Sequence, residues 1–181
     1  QKMFCQTRII PEHRRYQLYL WRDCDQSREP DVYSMDTLMF GVISSPFLAG
    51  SSVHLHSENP EMQERFPTLT SEIKEKTYVD DHGNGRDTVN EAKELYHELV
   101  EFFRSGGWKI TKFATNSKEV LQEIPSEDRI KTLTVDFDDD NYGETKALGL
   151  LWHTEGDTFS IKSSTKMMTE ITKITKRSIA S

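Results

Sequence analysis

The clearest pattern of apolar and polar positions predicts a long helix in the middle of the chain. Its apolar residues recur at helical spacing and share one face: Val89, Ala92, Leu95, Leu99, Phe102 and Phe103. Asp87 or Thr88 is placed to cap the start of this helix, and Gly106-Gly107 is placed to end it. The segment is therefore expected to form an amphipathic helix that packs one face against a core.

Shorter patterns predict further helices and strands on both sides of this helix. Helices are predicted from Pro46 to about His56, from about Met62 to Lys76 with an interruption near Pro67, and from a capping box at Asn116 and Glu119 to Ile124. Strands are predicted over 16–21, 32–39, 77–79, 108–114, 131–137 and 148–152, and the last of them pairs with 158–162. This order favours an α+β fold in which an antiparallel sheet is backed by helices.

Composition limits the class of protein. The chain has 181 residues, of which 35% are hydrophobic and 29% are charged, which is typical of one globular domain. No stretch has the apolar length of a membrane span, and residues 1–4 lack the apolar region of a signal peptide. Cys5 and Cys24 have no metal-ligand spacing and are too few for a disulfide framework, so they are interpreted as free thiols. These features favour an intracellular protein.

The distribution of charge bears on nucleic-acid binding. The net charge of −7 counts against a nucleic-acid-binding protein. Residues 1–29, however, hold six Lys and Arg against four acidic residues, so this segment has a net charge of +2. The acidic excess lies further on, partly in Asp136, Asp138, Asp139 and Asp140, which are interpreted as a solvated loop rather than a metal cluster.

One short motif carries candidate chemistry. The segment from Tyr78 to Asp81 reads Tyr-Val-Asp-Asp and lies between a predicted helix and a glycine-bearing turn. Two adjacent carboxylates repel each other, and a divalent cation removes that cost. Two such cations can drive nucleotidyl transfer by holding the attacking and leaving oxygens. Taken alone, two adjacent aspartates are more often an acidic β-turn without a ligand, so the motif needs support from the rest of the chain.

Four other segments provide that support. With the tetrad they appear in a fixed order: Leu20-Trp21-Arg22-Asp23, Phe40 to Ala49, Tyr78 to Asp81, Leu148 to Trp152 and Thr175-Lys176-Arg177. In this set the chain resembles the central part of a reverse transcriptase, most closely the type found in BEL/Pao-class LTR retrotransposons. The resemblance implies a polymerase palm of the right-hand type with part of the fingers in residues 1–162. Residues 163–181 would begin the connection to a C-terminal region.

The resemblance also implies an activity and its residues. The activity is RNA-directed DNA polymerisation with Mg²⁺, or Mn²⁺ in its place, and the catalytic metal ligands are Asp80 and Asp81. The residues implied for the incoming dNTP are Phe4, Phe40, Gly41 and Lys112. Those implied for the primer or template are Tyr78, Ser45, Pro46, Leu148 and Gly149. Phe4 would pack under the sugar, where a bulky ring excludes a ribose 2′-hydroxyl.

Several of these assignments have structural alternatives. Phe4 is also compatible with an ordinary core aromatic, and Ser45 with a strand-to-helix turn that binds nothing. Lys109 competes with Lys112 for a place near the triphosphate, and either lysine is also compatible with a solvent-facing strand. The hairpin at 148–152 could be packed for stability alone.

The position of a third carboxylate sets a further expectation. In the family it lies five residues before the sugar-packing aromatic, which places it two positions before Gln1. We therefore expect a fragment of a larger protein that does not polymerise alone, with protease, RNase H and integrase domains in the parent and a cytoplasmic virus-like particle as its setting. The alternative is a catalytically dead or domesticated palm that binds nucleic acid or protein. A viral RNA-dependent RNA polymerase is a third option, against which Phe4 argues.

Overall fold

The computed structural model describes residues 3–130, 144–147, 150–154 and 156–161. The α-helices are α1 (Met3–Gln6), α2 (Ser45–Ser57), α3 (Pro60–Arg65), α4 (Pro67–Lys76), α5 (Val89–Ser105) and α6 (Lys118–Glu123), and short 3₁₀ helices cover Pro11–Tyr16 and Ser126–Asp128. The strands are β1 (Leu18–Trp21), β2 (Asp31–Ser34), β3 (Thr77–Tyr78), β4 (Asp81–His82), β5 (Glu144–Ala147), β6 (Leu150–His153) and β7 (Thr158–Ser160).

The strands form three small antiparallel sheets, of β1-β2, β3-β4 and β5-β6-β7. A mixture of helices with separate antiparallel strands is compatible with the predicted α+β class. The described strands are divided among these three sheets, whereas the sequence pattern predicts one sheet. Every helix in the described ranges is too short or too polar to cross a lipid bilayer.

The core lies among helices α2 to α5. Its buried side chains are Val53, Met62, Phe66, Leu69, Ile73, Leu95, Leu99, Phe102 and Phe103. The predicted apolar face of α5 is confirmed, because its last four members belong to this cluster while Val89 and Ala92 pack against a second cluster. The second cluster joins α5 to α6 and contains Tyr96, which the predicted face omitted.

Most of the residues predicted to begin or end helices do so in the structure. Thr88 and Glu91 form a capping box at the start of α5, and the helix ends at Ser105, directly before the Gly106-Gly107 pair. Pro46 lies in the first turn of α2. The predicted interruption near Pro67 is also confirmed, since Phe66 leaves the helical conformation between α3 and α4.

The predicted strand over 108–114 is wrong. This segment is irregular, and Lys112 has a φ of 63°, a left-handed conformation that interrupts an extended strand. Its one isolated bridge among the described residues joins Phe113 to Arg129 in parallel. The Phe113 amide donates to the Asp128 carbonyl at 2.9 Å, and the Ile130 amide donates to the Phe113 carbonyl at 2.9 Å.

Several boundary predictions also need correction. The strand predicted over 16–21 begins at Leu18, because Tyr16 ends a 3₁₀ helix, and the strand predicted over 77–79 ends at Tyr78, because Val79 lies in a turn.

The strand predicted over 32–39 ends at Ser34, because residues 36–38 turn to pair with the N-terminal segment instead. There the Ile9 amide donates to the Asp36 carbonyl at 2.8 Å. The N-cap of α6 is Ser117 rather than Asn116, since the Ser117 hydroxyl accepts from the Val120 amide.

The predicted C-terminal hairpin is confirmed for the described residues. Strands β6 and β7 pair antiparallel across the predicted turn, and β5 is an additional partner of β6 that the sequence pattern did not predict. The predicted strand at 131–137, the acidic residues 136–140, Leu148, Gly149 and residues 163–181 lie outside the described ranges.

Candidate active site at the Tyr78 to Asp81 hairpin

The tetrad forms a tight two-stranded hairpin. Thr77 pairs with His82 and Tyr78 pairs with Asp81, which leaves Val79 and Asp80 as the two-residue turn. Val79 has a φ of 53°. A β-branched residue with positive φ is an outlier, and such backbone strain costs about 1–3 kcal/mol and is found mostly at functional sites. The hairpin is therefore held in a conformation that its sequence does not favour locally.

Side chains along the two strands alternate between the two faces of the hairpin. Directly paired residues share a face of a hairpin, so Thr77 and His82 lie on one face while Tyr78 and Asp81 lie on the other. Thr77 Oγ1 and His82 Nδ1 are hydrogen-bonded at 2.9 Å. The His82 ring lies 6.4 Å from the ring of Phe103, so this face is turned toward the core. Burial lowers the pKa of His82, which favours its neutral form.

The opposite face is presented to solvent. Tyr78, Asp80 and Asp81 are all exposed. No group of three or more His, Cys, Asp or Glu side chains in the described ranges is arranged to hold a metal ion. Magnesium, however, is commonly bound by one or two carboxylates together with substrate phosphates and water. The two aspartates at the tip of the hairpin fit the protein share of such a site.

A group of polar side chains lies behind the hairpin. We call it the Glu72 clasp; it consists of Glu72 and Lys76 on α4 and of Asn84 and Arg86 after β4. A backbone hydrogen bond joins the same two ends of the hairpin, since the Gly83 amide donates to the Lys76 carbonyl at 3.0 Å. The clasp therefore joins the two ends of the hairpin to each other and to α4.

Phe4 and Phe40 are brought together by the fold. Their ring centroids are 4.7 Å apart and the ring planes are nearly perpendicular, at 88°. Edge-to-face contact is a favoured arrangement of aromatic pairs. The pairing of residues 7–9 with 36–38 holds α1 beside the segment that carries Phe40. Phe40 nevertheless remains 70% exposed, so the pair presents an aromatic surface to solvent.

Gly41 and Ser45 shape the loop that follows Phe40. Gly41 has a φ of 86°, and an added Cβ there would meet no atom within 4 Å. Backbone conformation, not crowding by described atoms, is therefore what favours glycine at this position. Ser45 is buried, and its hydroxyl donates to the Met39 carbonyl at 2.6 Å. Ser45 thus fixes the loop from inside, while Pro46 is exposed in the first turn of α2.

The two candidate lysines differ in their surroundings. The Lys109 ammonium lies 2.9 Å from a carboxylate oxygen of Asp128, and hydrogen bonding to that carboxylate raises the pKa of Lys109. Lys112 is exposed and has left-handed backbone geometry. Lys109 is thus engaged by a carboxylate of the 3₁₀ helix at Ser126–Asp128, which favours Lys112 as the lysine for an anionic ligand.

The sequence prediction missed the Glu72 clasp. Its one local signal is the spacing of Glu72 and Lys76, which are four residues apart on a helix and therefore neighbours. Its other members lie 12 and 14 residues beyond Glu72, across a turn whose geometry the sequence pattern does not specify.

Comparison with known proteins identifies no relative: no protein-family model matches the sequence, and neither a curated protein nor a solved structure matches it.

Proposed function

We propose that this chain is the central palm segment of an RNA-directed DNA polymerase of the BEL/Pao retrotransposon type. The reaction is template-directed nucleotidyl transfer, in which the primer 3′-hydroxyl attacks the α-phosphate of a dNTP and pyrophosphate leaves. The observation that carries the proposal is the tetrad at Tyr78 to Asp81, folded as a strained, exposed hairpin within an ordered set of reverse-transcriptase-like motifs.

Asp80 and Asp81 are the residues that would hold Mg²⁺, or Mn²⁺ in its place. When bound, the cations supply charge stabilisation to the attacking and leaving oxygens. The aspartates suit this role because they are adjacent, exposed and carried by a turn that is anchored at its base. Tyr78 is proposed to contact the primer, which is supported by its position on the face of Asp81 and by its exposure of 68%.

The Phe4-Phe40 pair is the proposed nucleotide-selecting surface. The edge-to-face contact restricts how far the Phe4 ring can move. A ring held in this way would clash with a 2′-hydroxyl and favour dNTPs over rNTPs. Gly41 continues the same loop. Ser45 and Pro46 begin α2, which is proposed to lie behind the template. Leu148 and Gly149 are proposed for the primer terminus, and Lys112 for the triphosphate.

The proposed partners follow from the activity. They are an RNA or DNA template with its primer, dNTPs, and the protease, RNase H and integrase domains of a parent polyprotein. A cytoplasmic virus-like particle is the proposed setting. The charge of +2 over residues 1–29 supports contact with a nucleic acid despite the acidic total.

Primer extension tests the proposal. A chain lengthened at both ends from the parent gene would be compared with its Asp80→Asn variant, using Mg²⁺, dNTPs and a primed RNA template. Losing a metal ligand removes several kcal/mol of transition-state stabilisation, so we expect a loss of about 100-fold or more. Asp87→Asn is the matched control, because Asp87 is an exposed aspartate just beyond the hairpin.

Two outcomes contradict the proposal. Equal extension by the wild type and Asp80→Asn would remove the tetrad from the catalytic site. Failure of a folded wild type to extend a primer that it binds would instead favour a catalytically dead palm that serves as a nucleic-acid-binding module.

A further inference from the structure

The two ends of the Tyr78 to Asp81 hairpin are held by one carboxylate. Glu72 Oε1 accepts from Lys76 Nζ at 2.9 Å, directly before β3. Glu72 Oε2 accepts from Asn84 Nδ2 at 2.7 Å and from Arg86 Nη2 at 3.0 Å, both after β4. Residues on both sides of the hairpin therefore converge on a single side chain of α4.

Further bonds cross-link the clasp. Asn84 Oδ1 accepts from Lys76 Nζ at 2.7 Å and from Arg86 Nη1 at 3.0 Å. Each polar group thus contacts at least two others, and the removal of one member leaves its partners incompletely bonded. Networks of this kind rigidify the backbone that they connect.

Burial separates the clasp from ordinary surface ion pairs. The side chains of Arg86 and Glu72 are 18% and 21% exposed. In the pair formed by Arg65 and Glu101 the side chains are 39% and 58% exposed. Partial burial alone would raise the pKa of Glu72, but hydrogen bonds from Asn84, Lys76 and Arg86 outweigh it and hold the pKa at about 2. The carboxylate therefore stays ionised at physiological pH.

The strained backbone at Val79 needs support from the surrounding structure, and the clasp provides it. Strained turns persist only where the surrounding structure over-determines them. The hairpin has just two residue pairs, so its own ladder is a short support for a β-branched residue at positive φ. The clasp adds side-chain hydrogen bonds at the base of the hairpin, directly before β3 and shortly after β4.

We infer that Glu72, Asn84 and Arg86 are positioning residues that set the geometry of the Asp80-Asp81 turn for metal binding and catalysis. This inference rests on the proposed function. A clasp of this kind acts on the hairpin and not on the proposed nucleotide surface at Phe4 and Phe40. Loosening it should therefore lower kcat and weaken metal binding, while KM for the dNTP changes little.

The expected effect follows from the sensitivity of catalysis to small displacements. A misplacement of about 1 Å can cost about 100-fold in rate, and loss of a group that orients metal ligands costs about 10- to 100-fold. For Glu72→Gln we expect a fall in kcat, and a rise in the Mg²⁺ concentration at half-maximal rate, each on the order of 10-fold.

The experiment uses the lengthened parent chain with two clasp variants and one control. Glu72→Gln removes the central charge with little change of shape. Asn84→Ala keeps the ion pair of Glu72 with Arg86 but removes the hydrogen bonds that Asn84 makes to the other clasp residues. Glu101→Gln is the control, because it removes the charge of an exposed pair between α3 and α5. The second clasp variant keeps the test informative if Glu72→Gln does not fold.

Three measurements separate positioning from general stability. Hydrogen exchange at the Gly83 amide, which donates to Lys76, reports opening of the hairpin base. Titration with Mn²⁺, followed by electron paramagnetic resonance, reports metal affinity without turnover. Steady-state extension reports kcat and KM. In folded clasp variants we expect faster exchange at Gly83, weaker Mn²⁺ binding and lower kcat, with values near wild type in Glu101→Gln.

The outcomes distinguish this inference from the proposed function. If the wild type extends primers in an Asp80-dependent way but folded Glu72→Gln and Asn84→Ala match it in Mn²⁺ affinity and kcat, the positioning role is wrong and the polymerase assignment stands. If the wild type neither extends primers nor binds Mn²⁺ through Asp80, the proposed function fails and this inference fails with it.

Discussion

Two hairpins of the molecule, β1-β2 and β3-β4, are supported in opposite ways. β1-β2 has four residue pairs, and all eight of its residues are exposed. It is stabilised mainly by contacts within itself, such as the stacked rings of Tyr19 and Tyr33, whose centroids are 5.6 Å apart. β3-β4 has only two pairs, yet it is tied to α4 by the Glu72 clasp and faces Phe103 through His82.

This difference teaches that ladder length does not decide how firmly a hairpin is placed. A ladder fixes two strands relative to each other, whereas burial and polar bonds to a helix fix them relative to the core. The candidate catalytic carboxylates lie on the shorter hairpin, which is the one anchored to the helical core.

The largest expected effect comes from removing the aromatic beneath β3-β4. Phe103 is 6% exposed and belongs to the main core cluster, so Phe103→Ala should lower the free energy of unfolding by about 3–5 kcal/mol. Phe47→Ala is the matched control, since Phe47 is 74% exposed and its loss should change stability by about 0.5 kcal/mol or less. Urea unfolding followed by circular dichroism measures both. Equal losses of stability in the two variants would contradict the role of Phe103 as the core residue that supports β3-β4.

A smaller effect should follow from crowding the end of α5, beside the same core. An alanine Cβ at Gly106 would lie 2.1 Å from Cζ3 of Trp108, whose ring packs against the core, so Gly106→Ala should destabilise by about 1–3 kcal/mol. At Gly50, inside α2, an added Cβ meets nothing within 4 Å, so Gly50→Ala should stabilise by about 0.5–1 kcal/mol. Thermal or urea unfolding gives the sign of each change, and stabilisation by Gly106→Ala would contradict the packing described for Trp108.

The clasp should also make stability depend on pH. Its hydrogen bonds hold the pKa of Glu72 at about 2 in the folded chain, below the ordinary value of 4.5. A lowered folded-state pKa contributes stability that is present above about pH 4.5 and is lost as the pH falls toward 2. Between about pH 6 and pH 3 we expect the wild type to lose on the order of 1 kcal/mol more than Glu72→Gln, after allowance for solvent screening.

Urea titrations of both proteins at the two pH values measure this difference. Identical pH dependence in the wild type and Glu72→Gln would show that the carboxylate gains little from its three partners.

The smallest effect is expected in the exposed hairpin. Arg28 lies 3.0 Å from an Asp23 carboxylate oxygen and 2.6 Å from one of Asp31, but all three side chains are at least 36% exposed. Exposed ion pairs contribute about 0–1 kcal/mol, so Arg28→Gln should change stability by no more than that. A loss as large as that of Glu72→Gln at neutral pH, measured by urea unfolding, would remove the contrast between the two hairpins.

The sequence predicts the helical core better than it predicts the support of the site. The face of α5 follows from apolar spacing, and its start follows from the local capping box of Thr88 with Glu91. The break before Pro67 is equally local, because proline restricts the residue that precedes it. Adjacent residues can compete for one capping role, which is why Ser117 rather than Asn116 caps α6.

Features that depend on contacts between distant residues could not be predicted from the sequence pattern. The left-handed turn at Lys112 has no glycine or asparagine to signal it, so the segment resembles a strand. Asn84 and Arg86 reach Glu72 only after the hairpin has reversed the chain. The motif at Tyr78 to Asp81 could be identified from its residues, but the clasp that holds it becomes visible only in the folded chain.

Single-turnover addition of one dNTP to a primer on an RNA template tests the central claim most directly. The lengthened wild-type chain and its Asp80→Asn variant would be compared at saturating Mg²⁺, with circular dichroism confirming equal folding. We expect the wild type to add the templated nucleotide and the variant to be slower by about 100-fold or more. Equal rates in the two proteins would contradict the assignment of the Tyr78 to Asp81 hairpin as the catalytic metal site.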